Sequence, residues 1–210
     1  MSRARLISIV KVFVFMAALL PLTWLVWKTL HNDLGANPVE FVTHATGDWA
    51  LIFLLSSLAV TPLRKIAHFP DLIRFRRMLG LYAFFYASLH LLTFAGLDHH
   101  FNWAEVLPDV YKRPFVTAGF TAWLLMVPLA LTSTAWSIRK LGGKNWQRLH
   151  SLVYFSAIAA VVHYWWLVKK DTAEPLKYAV ILALLLGARF VLRLIDRRPG
   201  TAAPSLAARN

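Results

Sequence analysis

Three histidines lie in or beside long apolar stretches of this chain, and their type and position could support chemistry. His150 and His163 belong to the segment RLHSLVYFSAIAAVVHYWWLVKK (148–170), and His90 lies in the apolar run 78–97. An imidazole in hydrocarbon is costly and rare, so its default interpretation is functional, as a ligand, a proton relay or part of an ion path. The chain has no cysteine, which excludes thiolate metal sites and thiol nucleophiles. Any metal or redox chemistry must therefore use other ligands and a cofactor.

The composition places these histidines in a membrane protein. Of 210 residues, 58% are hydrophobic and only 16% are charged, which is too apolar for a soluble domain. The net charge of +13 comes from short Lys and Arg clusters between apolar spans rather than from one basic face. Lipid headgroups are therefore the expected counterpart of this charge, and nucleic acid is not.

The hydropathy pattern predicts an all-α fold, a polytopic membrane bundle of six transmembrane helices. The first run is about twenty-five residues long and has no small-x-small cleavage pattern before Pro21, so it predicts a retained span rather than a secretory signal. The short polar segment 199–210 predicts a disordered tail. The predicted spans are 6–30, 45–66, 78–97, 115–136, 149–168 and 176–194.

The distribution of Lys and Arg predicts the orientation. The N-terminus, the second and fourth loops, the tail and the adjoining helix ends hold 17 of the 23 basic residues, and the opposite side holds 6. The positive-inside rule therefore predicts that both termini are cytoplasmic, which agrees with an even number of spans.

This topology gives His90 and His163 the same depth. His90 follows Arg77 by thirteen residues and His163 follows Arg148 by fifteen, on two helices that run in the same direction. At 1.5 Å per residue, both lie roughly 20 Å from the cytoplasmic edge. Two level imidazoles on parallel helices suit bis-histidine ligation of a b-type haem. A hydrogen-bonded core histidine or a proton path stays open as the alternative.

His150 has no obvious partner. Superposing the two histidine helices puts Arg77 opposite His150 near the cytoplasmic face, where a second haem would call for another histidine. Thirteen residues also turn an ideal helix to a different face, so His150 and His163 need not share one cavity. His150 is then an inner haem ligand, a hydrogen-bond donor to a quinone or flavin, or a histidine at the membrane interface.

Several longer motifs resemble a known family. They are LPLTWLVW, LGANPVEFVTHATGDWAL, TPL, LIRFRRMLGLYAFFYASLHLLTF, LTSTAWSIRKLGGKNWQRLHSLVYF and HYWW, which together extend from about Pro21 to Arg193. On these motifs the chain resembles the MsrQ (YedZ) family of haem-binding membrane subunits, within the ferric-reductase-like transmembrane superfamily. The resemblance implies one haem-binding transmembrane domain over residues 1–198.

The resemblance also implies an activity and its partners. An MsrQ subunit of the bacterial inner membrane takes electrons from the quinone pool, or from a cytosolic flavin reductase. It passes them to MsrP, a periplasmic molybdenum-cofactor enzyme that reduces methionine sulfoxide in oxidised proteins. The chain would then be the electron-transfer subunit of a heterodimer rather than its catalytic subunit.

The same resemblance assigns cofactors. The family's haem histidines fall on His90, His150 and His163, so one or two b-type haems are implied. FMN is also a family cofactor, but the sequence has no glycine-rich phosphate loop. On charge alone, a flavin phosphate could lie against Arg74, Arg76 and Arg77.

A few further residues and functions complete the prediction. His44 is placed in a loop, where it is either solvated or in contact with a haem propionate, a quinol or MsrP. The acidic residues Asp98, Glu105 and Asp109 lie in outer loops, where a periplasmic partner would dock.

Two other functions stay open: a ferric-reductase- or oxidase-like electron carrier, and a proton-coupled transporter using His90 and His163 as relays.

Overall fold

The computed structural model describes residues 2–168 and 172–197, and this part of the chain is helical throughout, with short connections. The predicted tail 199–210 lies outside the described residues. The helices are α1 (Arg3–Leu30), α2 (Pro38–Ile66), α3 (Ile73–Thr93), α4 (Trp103–Lys112), α5 (Pro114–Leu131), α6 (Ala135–Leu141), α7 (Gly143–His150), α8 (Leu152–Leu167) and α9 (Ala173–Arg197). A 3₁₀ turn (Pro70–Leu72) precedes α3, and a π-turn (Phe94–Asp98) follows it.

Five helical segments of the described chain are long and apolar enough to cross a membrane. They are Arg3–Leu30, Pro38–Ile66, Pro70–Asp98, Pro114–Leu131 and Ala173–Asp196. Their outward faces carry many exposed apolar side chains, such as Phe13 (72% exposed) and Phe190 (65% exposed), as expected of surfaces that meet lipid.

The fifth predicted span, 149–168, is not one continuous helix. It is divided at Ser151 into the end of α7 and the 16 residues of α8, which span about 24 Å at 1.5 Å per residue. The Ser151 hydroxyl donates to the Arg148 carbonyl (2.5 Å), and a serine that takes a backbone acceptor in this way disturbs a helix locally. Six membrane crossings therefore remain a prediction.

Other helix boundaries also differ from the prediction. Helix α2 begins at Pro38 rather than near Ala45, because Asn37 caps it by accepting from the Glu40 N–H and proline suits the first helical position. Helix α5 ends at Leu131 rather than at 136. The predicted loops on either side of α5 contain the short helices α4, α6 and α7.

The long helices alternate in direction between two ends of the bundle. At the first, the basic end, Arg3 of α1 pairs with Asp71 (2.7 Å), and Lys65 of α2 pairs with Asp196 of α9. The described start of α1 and end of α9 therefore lie at the same end. The opposite end, called the far end, carries α4 and the link between α1 and α2.

Two helix pairs form the centre of the bundle: α2 packs most extensively on α3, and α5 on α8. The buried core includes Leu54 and Leu58 of α2 and Tyr86 of α3. The Tyr86 hydroxyl donates to the Ala18 carbonyl (2.8 Å) and accepts from the Leu22 N–H (3.2 Å), which attaches α1 to α3 beside Pro21.

Candidate functional site

The structure brings His90 of α3 and His163 of α8 together inside the bundle. Their ring centroids are 5.9 Å apart, and their ring planes are inclined at 72°. Each ring comes from a different helix pair, so the two imidazoles approach each other from opposite sides of one cavity.

Each of the two imidazoles is oriented by a backbone carbonyl of the paired helix. His90 Nδ1 lies 2.8 Å from the Thr43 oxygen on α2, and His163 Nδ1 lies 2.6 Å from the Phe115 oxygen on α5. Because a carbonyl can only accept, each Nδ1 carries the hydrogen and each neutral ring keeps its Nε2 lone pair. This is the arrangement by which proteins orient metal-binding histidines.

A glycine lies four residues after each of these carbonyls and leaves room for the ring. A Cβ placed on Gly47 would come within 3.1 Å of the His90 ring, and one on Gly119 within 2.8 Å of His163 Nδ1. The two helix pairs thus share one arrangement. In each, a carbonyl at position i accepts a hydrogen bond from an imidazole of the partner helix, and a glycine at i+4 leaves space for that ring.

The cavity that the two rings share has a volume of about 510 Å³, within the range of cofactor sites. Two imidazoles on one metal, each bonded at about 2 Å, would place their ring centroids about 6 Å apart. The described residues contain no group of three or more His, Cys, Asp or Glu side chains that could hold a metal ion. Two imidazoles at this separation suit a metal that brings its other ligands with it, as haem iron does.

The far-end part of this cavity is polar. His44 lies within α2 rather than in the predicted loop, and it lines the cavity together with Asp48, Asp98 and Arg113. Arg113 also pairs with Asp109 (3.3 Å). These groups could meet the polar edge of a cofactor.

His150 lies in a second cavity of about 550 Å³, near the basic end, which Arg77 also lines. The Thr132 hydroxyl donates to the Pro128 carbonyl (2.6 Å), so it accepts from His150 Nε2 at 3.1 Å. The His150 ring also stacks on Trp146 with 3.8 Å between centroids. His150 Nε2 is thus already engaged, unlike Nε2 of His90 and His163.

The two cavities adjoin. Leu54 and Met126 line both of them, so a thin apolar partition separates the His90–His163 pair from the space around His150.

The remaining predicted residues are divided between the two ends. Arg76 and Arg77 line the second cavity, whereas Arg74 pairs with Asp71 (3.3 Å). Of the acidic residues predicted to receive a partner, Asp98 and Glu105 are exposed and Asp109 is partly buried. Asp109 pairs with Arg113 and His99.

Sequence reasoning missed the two glycines and a buried arginine, Arg189. A glycine in an apolar span marks a close approach, but it does not name the side chain that approaches. The distribution of Lys and Arg assigns Arg189 to the helix end beside the tail, although only 7% of it is exposed. Its position within the apolar run of the last span was the available signal.

Comparison with known proteins adds independent information. The family described as "Ferric reductase like transmembrane component" matches residues 44–161. A "Protein-methionine-sulfoxide reductase heme-binding subunit MsrQ" from Herminiimonas arsenicoxydans is 52% identical over 182 residues, covering 86% of this chain and 84% of that protein. The protein of the same name from Rhodospirillum rubrum is 50% identical over 192 residues, covering 91% and 92%. No solved structure matches the chain significantly.

Proposed function

The chain belongs to the MsrQ family of ferric-reductase-like membrane proteins, and from that premise we propose that it is a b-type cytochrome of the bacterial inner membrane. It accepts electrons from the quinone pool or from a cytosolic flavin reductase. It delivers them to a periplasmic MsrP-like molybdoenzyme, which repairs methionine sulfoxide. The proposal includes six membrane crossings with both termini cytoplasmic.

One observation carries this proposal: two imidazoles face each other across one cavity with both Nε2 lone pairs available. His90 and His163 would hold haem iron from the two sides, and His44 and Arg113 lie where its propionates could bind. Haem supplies one-electron chemistry when bound. The chain fixes both rings through the Thr43 and Phe115 carbonyls. With histidines as its two protein ligands, a bound haem iron would favour electron transfer over oxygen binding.

The second cavity is where electrons would enter. Its occupant is a second haem held by His150, a flavin such as FMN, or a quinol. The basic residues at this end, Arg76 and Arg77 among them, suit the anionic groups of the first two. Because Leu54 and Met126 line both cavities, an occupant here lies beside the His90–His163 site.

The test is the reduced-minus-oxidised absorption spectrum of the purified protein, with haem and protein quantified on the same sample. We expect His90→Ala and His163→Ala to lose the haem of the first cavity, and His150→Ala to retain it. His68→Asn is the matched control, because His68 is exposed and asparagine tolerates its positive φ of 50°.

Full haem retention in His90→Ala would refute the ligand assignment. A haem-free wild-type protein, expressed with haem in excess, would instead favour proton transport through the two histidines.

A further inference from the structure

Arg189 is a buried cation within α9, one of the helices able to cross a membrane. Its guanidinium donates to the Leu58 carbonyl from Nε (3.2 Å) and Nη2 (2.5 Å), and to the Tyr154 hydroxyl from Nη1 (2.7 Å). Among the described residues, no acidic side chain forms an ion pair with it. A buried charge within a membrane helix is costly unless it is paired, and such residues usually have a function.

The Leu58 carbonyl is available because of Pro62. In an α-helix, a carbonyl accepts from the N–H four residues later, and proline has none. Pro62 lies inside α2, four residues after Leu58. The Leu58 carbonyl therefore accepts from Arg189 instead, and this fixes the guanidinium in one position.

Arg189 borders the second cavity, and the lining of that cavity is strongly basic. Four arginines and one lysine line it, and no Asp or Glu does. Lys65 is neutralised by Asp196, but none of the four arginines pairs with an acidic side chain of the described chain. The Thr61 hydroxyl beside them is buried without a hydrogen-bond partner. The four arginines are Arg76, Arg77, Arg189 and Arg193.

The inner part of the same cavity is apolar. Leu54, Leu81, Phe84 and Met126 line it on the side of the His90–His163 site. The cavity thus suits a ligand with an apolar body directed inward and an anionic arm directed to the basic end.

We propose that Arg189, fixed by the Leu58 carbonyl and Tyr154, is the anchor for the carboxylate or phosphate arm of a redox ligand in the second cavity. The redox character of the ligand rests on the proposed function, whereas the anion anchor rests on the geometry alone. The two sources of such an arm are the propionates of a second haem and the phosphate of a flavin mononucleotide.

Arg189→Gln alone would be ambiguous, because it also leaves the Leu58 carbonyl without a partner. The double variant Pro62→Ala/Arg189→Gln removes this ambiguity, since the alanine introduced in place of the proline supplies the missing N–H to Leu58. Pro62→Ala alone keeps Arg189, and Arg139→Gln changes an exposed arginine that lines neither cavity. These two single variants are the controls.

Two measurements identify the source. The first is the haem-to-chain ratio of each purified protein. The second is the affinity of each protein for FMN and for riboflavin, which share the ring system and differ in the phosphate.

If a propionate is the arm, the double variant loses one of two haems, and both controls keep two. If a flavin phosphate is the arm, wild type and both controls bind FMN at least tenfold more tightly than riboflavin, and the double variant binds the two about equally.

Two results would overturn the proposal. In the first, neither the haem-to-chain ratio nor the flavin affinity changes in any variant that lacks Arg189. In the second, Arg189→Gln alone lowers these values but the double variant Pro62→Ala/Arg189→Gln has the wild-type values. Arg189 would then serve only to cap Leu58. Failure of the proposed function would look different, because the haem of the first cavity would be absent from the wild type itself.

Discussion

At the scale of residues, the first cavity is organised by backbone atoms as much as by side chains. The Thr43 and Phe115 carbonyls set the tautomer of His90 and His163, and glycines four residues later admit the rings. A histidine in an apolar span can be found in the sequence, and its depth follows from counting. Which carbonyl accepts a hydrogen bond from the histidine depends on the rotation and spacing of a neighbouring helix. The residues around the histidine do not determine either of these.

We predict that Gly119→Ala displaces the His163 ring, because the added Cβ would lie 2.8 Å from Nδ1 and this ring cannot move without weakening its bond to the Phe115 carbonyl. The expected result is at least a twofold lower haem-to-chain ratio or an altered low-spin spectrum, measured on purified protein.

Gly187→Ala is the control, since a Cβ there has no neighbour within 4 Å. In a helix interior this exchange is expected to stabilise by about 0.5–1 kcal/mol. Wild-type haem content and spectrum in Gly119→Ala would show that the glycine is not needed for clearance.

At the scale of elements, hydropathy predicted where the long helices lie and missed how they begin and divide. Asn37 and Pro38 start α2 inside the predicted loop between the first two spans, because a cap and a first-turn proline are local signals that a hydropathy count ignores. Ser151 divides α7 from α8 although the stretch after it is apolar. The pairing of α2 with α3 and of α5 with α8 comes from packing, which no single segment encodes.

Helix α4 exposes an apolar stripe at four-residue spacing, formed by Trp103 (59% exposed), Leu107 (61%) and Tyr111 (69%), while Val106 is buried. At the far end of the bundle, such a stripe suits the headgroup boundary of a bilayer. Because the chain has no cysteine, we predict that a polarity-sensitive fluorophore on Leu107→Cys emits at shorter wavelength in lipid nanodiscs and is quenched by lipids labelled near the headgroup.

The same fluorophore on Glu105→Cys is the control, because two helical positions separate it from Leu107 by about 200°. It should emit as in water. Equal emission and quenching at the two positions would contradict an interfacial position for α4.

At the scale of the whole molecule, two helix pairs enclose two adjoining cavities, and the basic residues gather at one end. The described ends of α1 and α9 both lie at that basic end, as an even number of crossings requires. The positive-inside rule predicts that this end is cytoplasmic.

Single cysteines can test this orientation. We predict that a membrane-impermeant maleimide labels Ala36→Cys, between α1 and α2, in intact spheroplasts. It should label Lys144→Cys, at the start of α7, only after the membrane is permeabilised. Both residues are exposed, and the cysteine-free parent protein gives the background. The reverse pattern would invert the orientation, and labelling of both in intact spheroplasts would contradict an odd number of crossings between the two positions.

The partition between the two cavities has an electrical consequence. The side chains of Leu54 and Met126, which line both cavities, have no hydrogen-bonding groups, so we expect this boundary to favour the passage of electrons over that of protons. An electron that crosses the membrane without a proton changes its electrostatic free energy by about 2.3 kcal/mol for every 100 mV of transmembrane voltage that it crosses. If the basic end faces the cytoplasm, as proposed, the cell interior is negative on that side, and outward electron flow would run downhill in this field. Repair outside the membrane would then be driven partly by the voltage that respiration maintains.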